Sequence, residues 1–352
     1  MRKWVYVTII VLLLAGLLMG YYYYQGSQAS WPPRTSSEPT PPEYAVRVIP
    51  LAGPLSESSS EVSGLAWYGN YLILLPQYPE RFDNQLFALP KADILSFLDG
   101  ELSPPLTPLE IPLSRRHAGV APNLTQEIAN FEGFEAIAFI EDQIFLTIEA
   151  RSGEAMLAYL VSGTMAPDLS DVQLDTTILA EIPAQSDIPN YSDETLLVGD
   201  ESLITIYEAN GQNVNPAPQG HQFDRNLAPL GEVAFPNIEY RITDATALDG
   251  EKRFWATNYL FADSIDKLKP APDALFTQYG VGATHAQKQT VERLLEFRYT
   301  PTGITLTDRA PVQLKLLDEP RNWEGLARLE QRGFLLVTDK FPETIFGFVP
   351  YP

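Results

Sequence analysis

The chain has 352 residues and contains no cysteine. It therefore forms no disulfide bond, and it offers no thiolate that could bind a metal, attack a substrate or carry a lipid. The sequence also lacks the GxSxG motif of serine hydrolases, the HExxH motif of zinc proteases and the GxxxxGK[ST] motif of phosphate-binding loops. Carboxylate chemistry is left as the main catalytic candidate.

Histidine and basic residues are also scarce. The three histidines, His117, His221 and His285, lie in predicted loops, where we expect them to be surface residues. Lysine and arginine total 24 against 45 acidic residues, which gives a formal net charge of −21. Such a charge repels nucleic acid and anionic lipid headgroups, so we expect no nucleic-acid partner.

The N-terminal segment predicts export. Arg2 and Lys3 precede a charge-free stretch, residues 4–24, which as a helix would span roughly 30 Å and cross a bilayer. We interpret residues 1–24 as a transmembrane signal anchor, or else as a cleaved signal peptide. Residues 25–43 read as a linker rich in proline and serine, and residues 44–352 as one folded domain. The expected product is an extracytoplasmic monomer, anchored to the cell membrane or secreted.

A short signature recurs five times along this domain, and each copy runs through a turn into a second apolar strand. The copies begin at Ser63, Glu135, Asp193, Asp244 and Glu324. Their second strands end at Gln77, Glu149, Tyr207 with Glu208, Asn258 and Asp339. The separations of 14, 14, about 14, 14 and 15 residues are typical of β-hairpins whose first and last residues are cross-strand neighbours.

Repeated hairpins predict an all-β fold, a β-propeller in which each hairpin begins a blade. Five signatures favour five blades, although intervals of 72 and 80 residues leave room for a sixth. A strand over residues 44–51 would complete the final blade and close the ring. Short helices are predicted at Lys91 and Thr284. A β-sandwich is the alternative fold.

In a propeller the open ends of the inner hairpins meet at one face of the central channel. Like charges about 4 Å apart repel by roughly 4 kcal/mol at an effective dielectric of about 20, so protons or a cation must relieve such a ring. A mixture of carboxylate and amide oxygens favours Ca²⁺. The predicted metal ligands are Glu135, Glu149, Asp193, Asp244, Asn258, Glu324 and Asp339, of which Glu135 and Glu324 are also the candidate catalytic residues.

Three basic residues near these acids, Arg151, Arg321 and Lys340, are candidates for binding an anionic substrate. Each position has a structural alternative. The polar ends of the hairpins could instead hydrogen-bond neighbouring blades, and the basic residues could form ordinary surface salt bridges.

Two segments resemble the repeats of the phytase-like ("esterase-like activity of phytase") family of bacterial extracytoplasmic propellers. They are NWEGLARLEQRGFLLVTDKFP from Asn322 and FEAIAFIEDQIFLTIEAR from Phe134. The Glu324-Gly325-Leu326 start with its Asp339 end matches the family pattern well. The repeat at Ser63 has lost the acid, and the repeat at Asp244 keeps only its carboxylate.

The resemblance implies a calcium-dependent hydrolase of phosphate or carboxylic esters, acting on a small anionic ester at the carboxylate-lined face. Because propellers serve many functions, the residues leave a second hypothesis open. This is a non-catalytic module, tethered at the cell surface, that binds a carbohydrate, peptide or protein ligand on the same face.

Overall fold

The computed structural model describes residues 40–115, 123–152, 155–200 and 202–352. The predicted signal anchor and most of the predicted linker lie outside this part of the chain, and so does His117. Within it, no helix is both long and apolar enough to cross a membrane.

The described strands form five blades of a β-propeller, which confirms the predicted fold. Two short strands come first, β1 (Glu43–Tyr44) and β2 (Arg47–Val48). Blade 1 consists of β3 (Val62–Tyr68), β4 (Tyr71–Pro76), β5 (Gln85–Pro90) and β6 (Leu109–Arg115). Blade 2 consists of β7 (Phe131–Ile140), β8 (Gln143–Ser152), β9 (Ala155–Met165) and β10 (Val172–Ile182). Parallel pairing of β6 with β10 joins the outer edges of these two blades.

The remaining blades follow in chain order. Blade 3 consists of β11 (Asp193–Val198), β12 (Leu203–Tyr207), β13 (Gln219–Phe223) and β14 (Pro229–Ala234). Blade 4 has an irregular inner segment, residues 241–247, followed by β15 (Arg253–Leu260), β16 (Val291–Thr300), β17 (Gly303–Leu306) and β18 (Val312–Leu314). Blade 5 consists of β19 (Trp323–Leu329), β20 (Gly333–Thr338) and β21 (Phe346–Pro350).

The N-terminal strands complete the last two blades. β2 pairs antiparallel with β21 and becomes the fourth strand of blade 5, which confirms the predicted closure of the ring. β1 pairs parallel with β18 of blade 4. The segment predicted as a single strand is therefore divided between two neighbouring blades.

Alternating side chains within each blade fill the two interfaces with its neighbours. In β4, Leu72 and Leu74 pack toward blade 5, whereas Ile73 and Leu75 pack toward blade 2. Similar apolar clusters lie between blades 2 and 3, 3 and 4, and 4 and 5. Because both faces of a blade are buried, its central strands read as continuous apolar runs.

Helices are short and lie outside the inner strands. They are α1 (Lys91–Leu98), α2 (Leu124–Glu127), α3 (Ile265–Leu268) and α4 (Ala274–Tyr279), with 3₁₀ turns at Gly53–Ser56, Pro79–Phe82, Ala262–Ser264 and His285–Gln287. The prediction at Lys91 is confirmed. The helix predicted from Thr284 is wrong, because only a 3₁₀ turn forms there before β16 begins. Leu294 and Leu295 in β16 face different interfaces, so their burial hides the alternation of a strand.

Candidate active site

One extra residue interrupts the pairing at the same place in four of the inner hairpins. The pairing skips Ser63, Glu135, Glu194 and Glu324. The bridges that flank the inner segment of blade 4 give Asp244 the corresponding position. A β-bulge redirects a side chain relative to the regular pleat. The bulge thus brings Ser63 and three glutamates to one end of the channel, where they line a common cleft.

This cleft has a volume of ≈ 390 Å³. Its walls carry many carboxyl groups, two basic side chains and several aromatic rings. The lining includes Glu132, Glu135, Glu149, Glu194, Asp263, Glu324, Asp339, Arg241, Lys340, Tyr78, Phe261 and Phe341.

Arg241 lies among the channel glutamates, and its side chain is only 14% exposed. One guanidinium nitrogen, Nη2, donates to both carboxylate oxygens of Glu194 at 3.0 Å. Nε donates to Glu208, and Nη2 lies 3.6 Å from Glu324 Oε1. Burial by itself lowers the pKa of Arg241, but Glu194 and Glu208 outweigh it and hold the pKa well above its ordinary value. A cation belonging to the chain thus offsets part of the acidic charge.

The sequence contained one overlooked signal for Arg241. It precedes Asp244 by three residues, as Arg321 precedes Glu324 by three. In the fold its backbone is fixed against β15, because Arg241 N donates to Tyr259 O at 3.0 Å and Tyr259 N donates to Arg241 O at 3.1 Å. The backbone pairing holds the guanidinium inside the channel.

Glu135 is buried and has no basic partner within hydrogen-bond distance among the described residues. Its Oε1 accepts a 2.9 Å hydrogen bond from Gln77 Nε2, a side chain of the adjacent blade. Burial, followed by the nearby charges of Glu149 and Glu194, raises the pKa of Glu135 well above its ordinary value. The protonated form of Glu135 is therefore favoured relative to that of an exposed glutamate.

Glu149 lies near Glu135 at the end of the same hairpin. Burial raises its pKa to about 7, while the charge of Arg241 and the Ser192 hydroxyl oppose this rise. Its Oε1 atom is buried and has no hydrogen-bond partner among the described residues. Glu149 can therefore exchange a proton near neutral pH and has a lone pair available to a ligand.

Two further carboxyl groups line the cleft beside this pair. Glu324 Oε1 accepts a 2.9 Å hydrogen bond from the Tyr259 hydroxyl, and Asp339 Oδ1 accepts one of 2.8 Å from Phe341 N. Burial raises the pKa of both groups above their ordinary values. The first and last repeat positions of blade 5 thus meet in the cleft, as the hairpin spacing predicts.

Three of the predicted metal ligands have other partners instead. Asp193 accepts from the Thr205 hydroxyl at 2.9 Å inside blade 3, and its neighbour Glu194 takes the channel position. Asp244 accepts from Leu326 N at 2.6 Å, an interblade bond of the kind the structural alternative predicts.

Asn258 is the third of these residues, and it supports the segment that carries Arg241. Its Nδ2 donates to Arg241 O at 3.1 Å, and its Oδ1 accepts from Arg293 Nε at 2.7 Å.

Two of the predicted surface histidines lie inside the fold. His285 is buried and pairs with Glu43 on β1, and its Nδ1 lies 2.7 Å from Glu43 Oε1. His221 is also buried, so the prediction that these two histidines lie at the surface is wrong.

The predicted basic residues are all paired with carboxylates. Arg151 lies at the rim, where Nε donates to Glu132 at 3.1 Å, and Lys340 lines the cleft but forms an ion pair with Glu61. Arg321 does not reach the cleft, because it is buried against Glu292 at 2.8 Å.

The predicted set of seven ligands does not fit one metal ion. Across the described residues, no group of three or more histidine or acidic side chains converges in a geometry that could hold a metal. Arg241 occupies the centre of Glu194, Glu208 and Glu324, where the sequence suggested a metal cation. Calcium binding remains a prediction from the sequence, and no step below depends on it.

Comparison with known proteins assigns no family. No protein-family profile and no curated protein matches the chain, so membership of the phytase-like family stays a prediction. Several solved structures are similar in fold. The Cellvibrio cellulosa α-L-arabinanase in complex with arabinohexaose is 10% identical over 81% of this chain and 90% of its own, with a TM-score of 0.43.

Two further structures show the same degree of similarity. A glycoside hydrolase of the GH130 family that targets β-1,2 mannosidic linkages in Candida mannan is 8% identical, with 92% of each chain covered and a TM-score of 0.42. The Bombyx mori GH32 β-fructofuranosidase is 10% identical over 94% of this chain and 64% of its own, with a TM-score of 0.45. Similarities this distant assign no activity to the chain.

Proposed function

We propose that the cleft hydrolyses glycosidic bonds by general acid–base catalysis, with Glu135 as the acid and Glu149 as the base. The observation that carries this proposal is a buried pair of carboxyl groups in one cleft whose environments differ. Among the described residues Glu135 has no cation within hydrogen-bond distance, so its protonated form is favoured, whereas the nearby Arg241 favours ionised Glu149. Pairs of carboxyl groups held in different protonation states are typical of acid–base sites.

Glycosidic bonds are acetals, and two carboxyl groups suffice to hydrolyse them. Glu135 donates its proton to the bridging oxygen as the bond from that oxygen to the anomeric carbon breaks, and the oxygen keeps the electron pair. Glu149 accepts a proton from a water molecule whose oxygen bonds to the anomeric carbon. The products are two free sugars or alcohols, with Glu135 ionised and Glu149 protonated until the two groups exchange a proton through solvent.

Ester hydrolysis by the described cleft has less support. Its lining contains no histidine or cysteine among the described residues, and Arg241, Lys340 and Arg151 at its rim are each paired with glutamate. An anionic ester would meet several carboxylates and compete for basic groups already in use. The calcium-dependent ester hydrolase remains the runner-up hypothesis.

Hydrolysis of a panel of neutral glycosides and oligosaccharides tests the proposal. We expect the wild-type protein to release reducing sugar, and Glu135→Gln or Glu149→Gln to lower the rate by about 10²–10⁴-fold, because each removes one proton-transfer group. Glu232→Gln, on the exposed β14 strand, is the matched control and should keep full activity.

Several outcomes would contradict the proposal. Wild-type protein that binds a ligand but hydrolyses no glycoside would favour the non-catalytic binding module. Turnover of phosphate or carboxylic esters that stops on addition of a chelator would favour the calcium-dependent hydrolase. Unchanged glycoside turnover in both glutamine variants would exclude the assigned acid and base.

The pH dependence of the rate follows from the same two groups. Turnover should rise with pH as Glu149 ionises near 7, and it should fall at higher pH as Glu135 loses the proton it must donate. The measurement is kcat/KM between pH 3 and 10. A rate that rises only through pH 4 to 5 would show that neither carboxyl group has a raised pKa in the working enzyme.

A further inference from the structure

Phe341 is a large apolar side chain that remains 50% exposed at a cleft otherwise rich in carboxyl groups. We propose that its ring is a stacking platform for a sugar, so that the ligand of the cleft is a neutral saccharide with one ring on Phe341 and the next at Glu135 and Glu149. Naming a neutral saccharide as the ligand makes the proposed function more specific. The position of the bond to be cleaved rests on that proposed function.

The backbone of Phe341 is held in place by residues that themselves line the cleft. Phe341 N donates to Asp339 Oδ1 at 2.8 Å, and Asn322 N donates to Phe341 O at 3.0 Å. An exposed aromatic residue on a loose loop would lack such bonds. Because both partners belong to the cleft wall, the orientation of the Phe341 backbone is fixed relative to the carboxyl pair.

A second aromatic ring supports the platform. Phe261 lies edge-on to Phe341 with ring centroids 6.4 Å apart, and Tyr259 lies edge-on to Phe261 at 6.3 Å. Tyr259 also donates to Glu324, so the aromatic series ends at a carboxyl group of the channel. Rings in such edge-to-face contacts support one another. The ammonium of Lys340 lies over the Phe341 ring, 5.7 Å from its centre, so a sugar would stack on the opposite face.

The chemistry of the surroundings favours a saccharide. A sugar ring has an apolar face of C–H groups, which can cover Phe341, and a rim of hydroxyl groups, which need donors and acceptors. Asn322, Asp339 and Asp263 supply these in the same cleft. An anionic ligand is disfavoured, because most of the titratable lining is acidic and Lys340 already pairs with Glu61.

Other exposed apolar residues do not share these features. Leu230 is 57% exposed and lies on the outer strand β14, away from the residues of the cleft. Single exposed apolar residues of this kind are common and need no functional explanation. Leu230 therefore offers a matched control for the removal of an exposed apolar side chain.

Binding is measured separately from hydrolysis by using the full chain with both Glu135→Gln and Glu149→Gln. A glycan array containing neutral and acidic oligosaccharides identifies the bound class, and calorimetry with the strongest neutral oligosaccharide gives the affinity. Phe341→Ala in this background should weaken binding about tenfold or more, since the stacked face is lost. Phe341→Tyr should restore the affinity, and Leu230→Ala should leave it unchanged.

The outcomes separate the two proposals. Saccharide binding that depends on Phe341, together with a wild-type protein that hydrolyses nothing, would uphold the platform and overturn the catalytic proposal. Hydrolysis that Phe341→Ala leaves unchanged, with unchanged affinity, would overturn the platform and keep the catalytic pair. A folded protein that binds no glycan on the array, or only acidic ones, would also overturn the platform.

Discussion

At the scale of single residues, Arg241 is the centre of the channel's charge distribution. It contacts Glu194, Glu208 and Glu324, which come from blades 3 and 5. Its guanidinium also lies 4.9 Å from the centre of the Tyr259 ring. A planar guanidinium can pair with several carboxylates at once, which a lysine ammonium does with less geometric definition.

Replacing Arg241 tests this role. Arg241→Met should lower the free energy of unfolding by about 3–5 kcal/mol at pH 8, because three buried carboxyl groups lose their cation. The loss should be smaller at pH 5, where the carboxyl groups can take up protons instead. Urea denaturation at both pH values measures the difference. The control Arg151→Met, at the half-exposed rim, should cost no more than about 1 kcal/mol at either pH.

Equal losses at pH 5 and pH 8 would mean that Arg241 acts through packing and not through charge.

Residue positions in the site were predictable only to within one residue. The spacings of 14 and 15 residues placed Glu135 with Glu149, and Glu324 with Asp339, in one cleft. In the third repeat both Asp193 and Glu194 precede a polar or aromatic partner by 14 residues, and the sequence alone favoured the wrong one. Side chains of successive residues on a strand point to opposite faces, so an error of one residue reverses the direction.

At the scale of the elements, the bulge in the inner hairpins of blades 2, 3 and 5 is what turns a glutamate toward the channel. In blade 2 a second irregularity in the pairing lies between Phe131 and Gly133, where Gly133 adopts a φ of +139°. A Cβ atom there would lie 2.4 Å from Gln77 Cγ, and Gln77 is the residue that donates to Glu135. The absence of a side chain at Gly133 therefore leaves room for Gln77 to donate its hydrogen bond to Glu135.

Gly133→Ala should displace Gln77 and destabilise the fold by about 2 kcal/mol or more, the sum of backbone strain and a close contact. The matched control is Gly69→Ala, which shares a positive φ of +57° but has open space around its Cβ position, so it should cost about 1–2 kcal/mol. Denaturant unfolding measures both. In Gly133→Ala the upper limb of the pH–rate profile should also move, because Glu135 loses a donor that lowers its pKa.

An unchanged upper limb of the pH–rate profile in Gly133→Ala would show that the hydrogen bond from Gln77 does not influence the pKa of Glu135 during turnover.

Strands were more predictable than helices for a physical reason. The hairpins carry their own turns and alternating apolar residues, so local sequence determines them. β16 was misread at its start, because Val291, Leu294 and Leu295 are all buried in different clusters and the strand period disappears. Which blade the N-terminal strands join depends on contacts hundreds of residues away, and the pattern of residues 44–51 contains nothing that divides it in two.

At the scale of the whole molecule, the chain closes its ring with the N-terminal strands. Glu43 stabilises the position of strand β1 in the closed ring, because its carboxylate accepts hydrogen bonds from Thr284 N at 2.9 Å and His285 N at 3.1 Å. Burial raises the pKa of Glu43, but the His285 side chain and these backbone donors outweigh it and lower the pKa overall. The ionised carboxylate is therefore the form that stabilises the closed ring.

Glu43→Gln tests the closure. It should lower the free energy of unfolding by about 1.5–3 kcal/mol at pH 7, the contribution of hydrogen bonds to a charged group. A carboxyl group with a lowered pKa stabilises above its unfolded pKa, so the difference from wild type should shrink as the pH falls below 4.5. Thermal melting across this range gives the measurement. Exposed Glu57 provides the control, Glu57→Gln, with no expected effect.

The channel carboxyl groups give the opposite pH dependence. Burial raises the pKa of Glu149 and Glu208 to about 7, so the folded state binds protons that the unfolded state releases above 4.5. Their contribution is complete below pH 4.5 and is lost as the pH rises toward 7, by at most about 1.4 kcal/mol per pH unit for each group. Denaturant unfolding at pH 5, 6, 7 and 8 should show a smaller slope in Glu149→Gln than in wild type.

A protonated Glu135 beside an exchangeable Glu149 is the state on which the proposed hydrolysis depends, and infrared titration observes it directly. The difference spectrum of wild type minus Glu135→Gln isolates the carbonyl stretch of the protonated carboxylic acid. The expected band persists at pH 7 and disappears only at higher pH. A band that disappears near pH 4.5, as for an ordinary glutamate, would contradict the assignment of Glu135 as the acid.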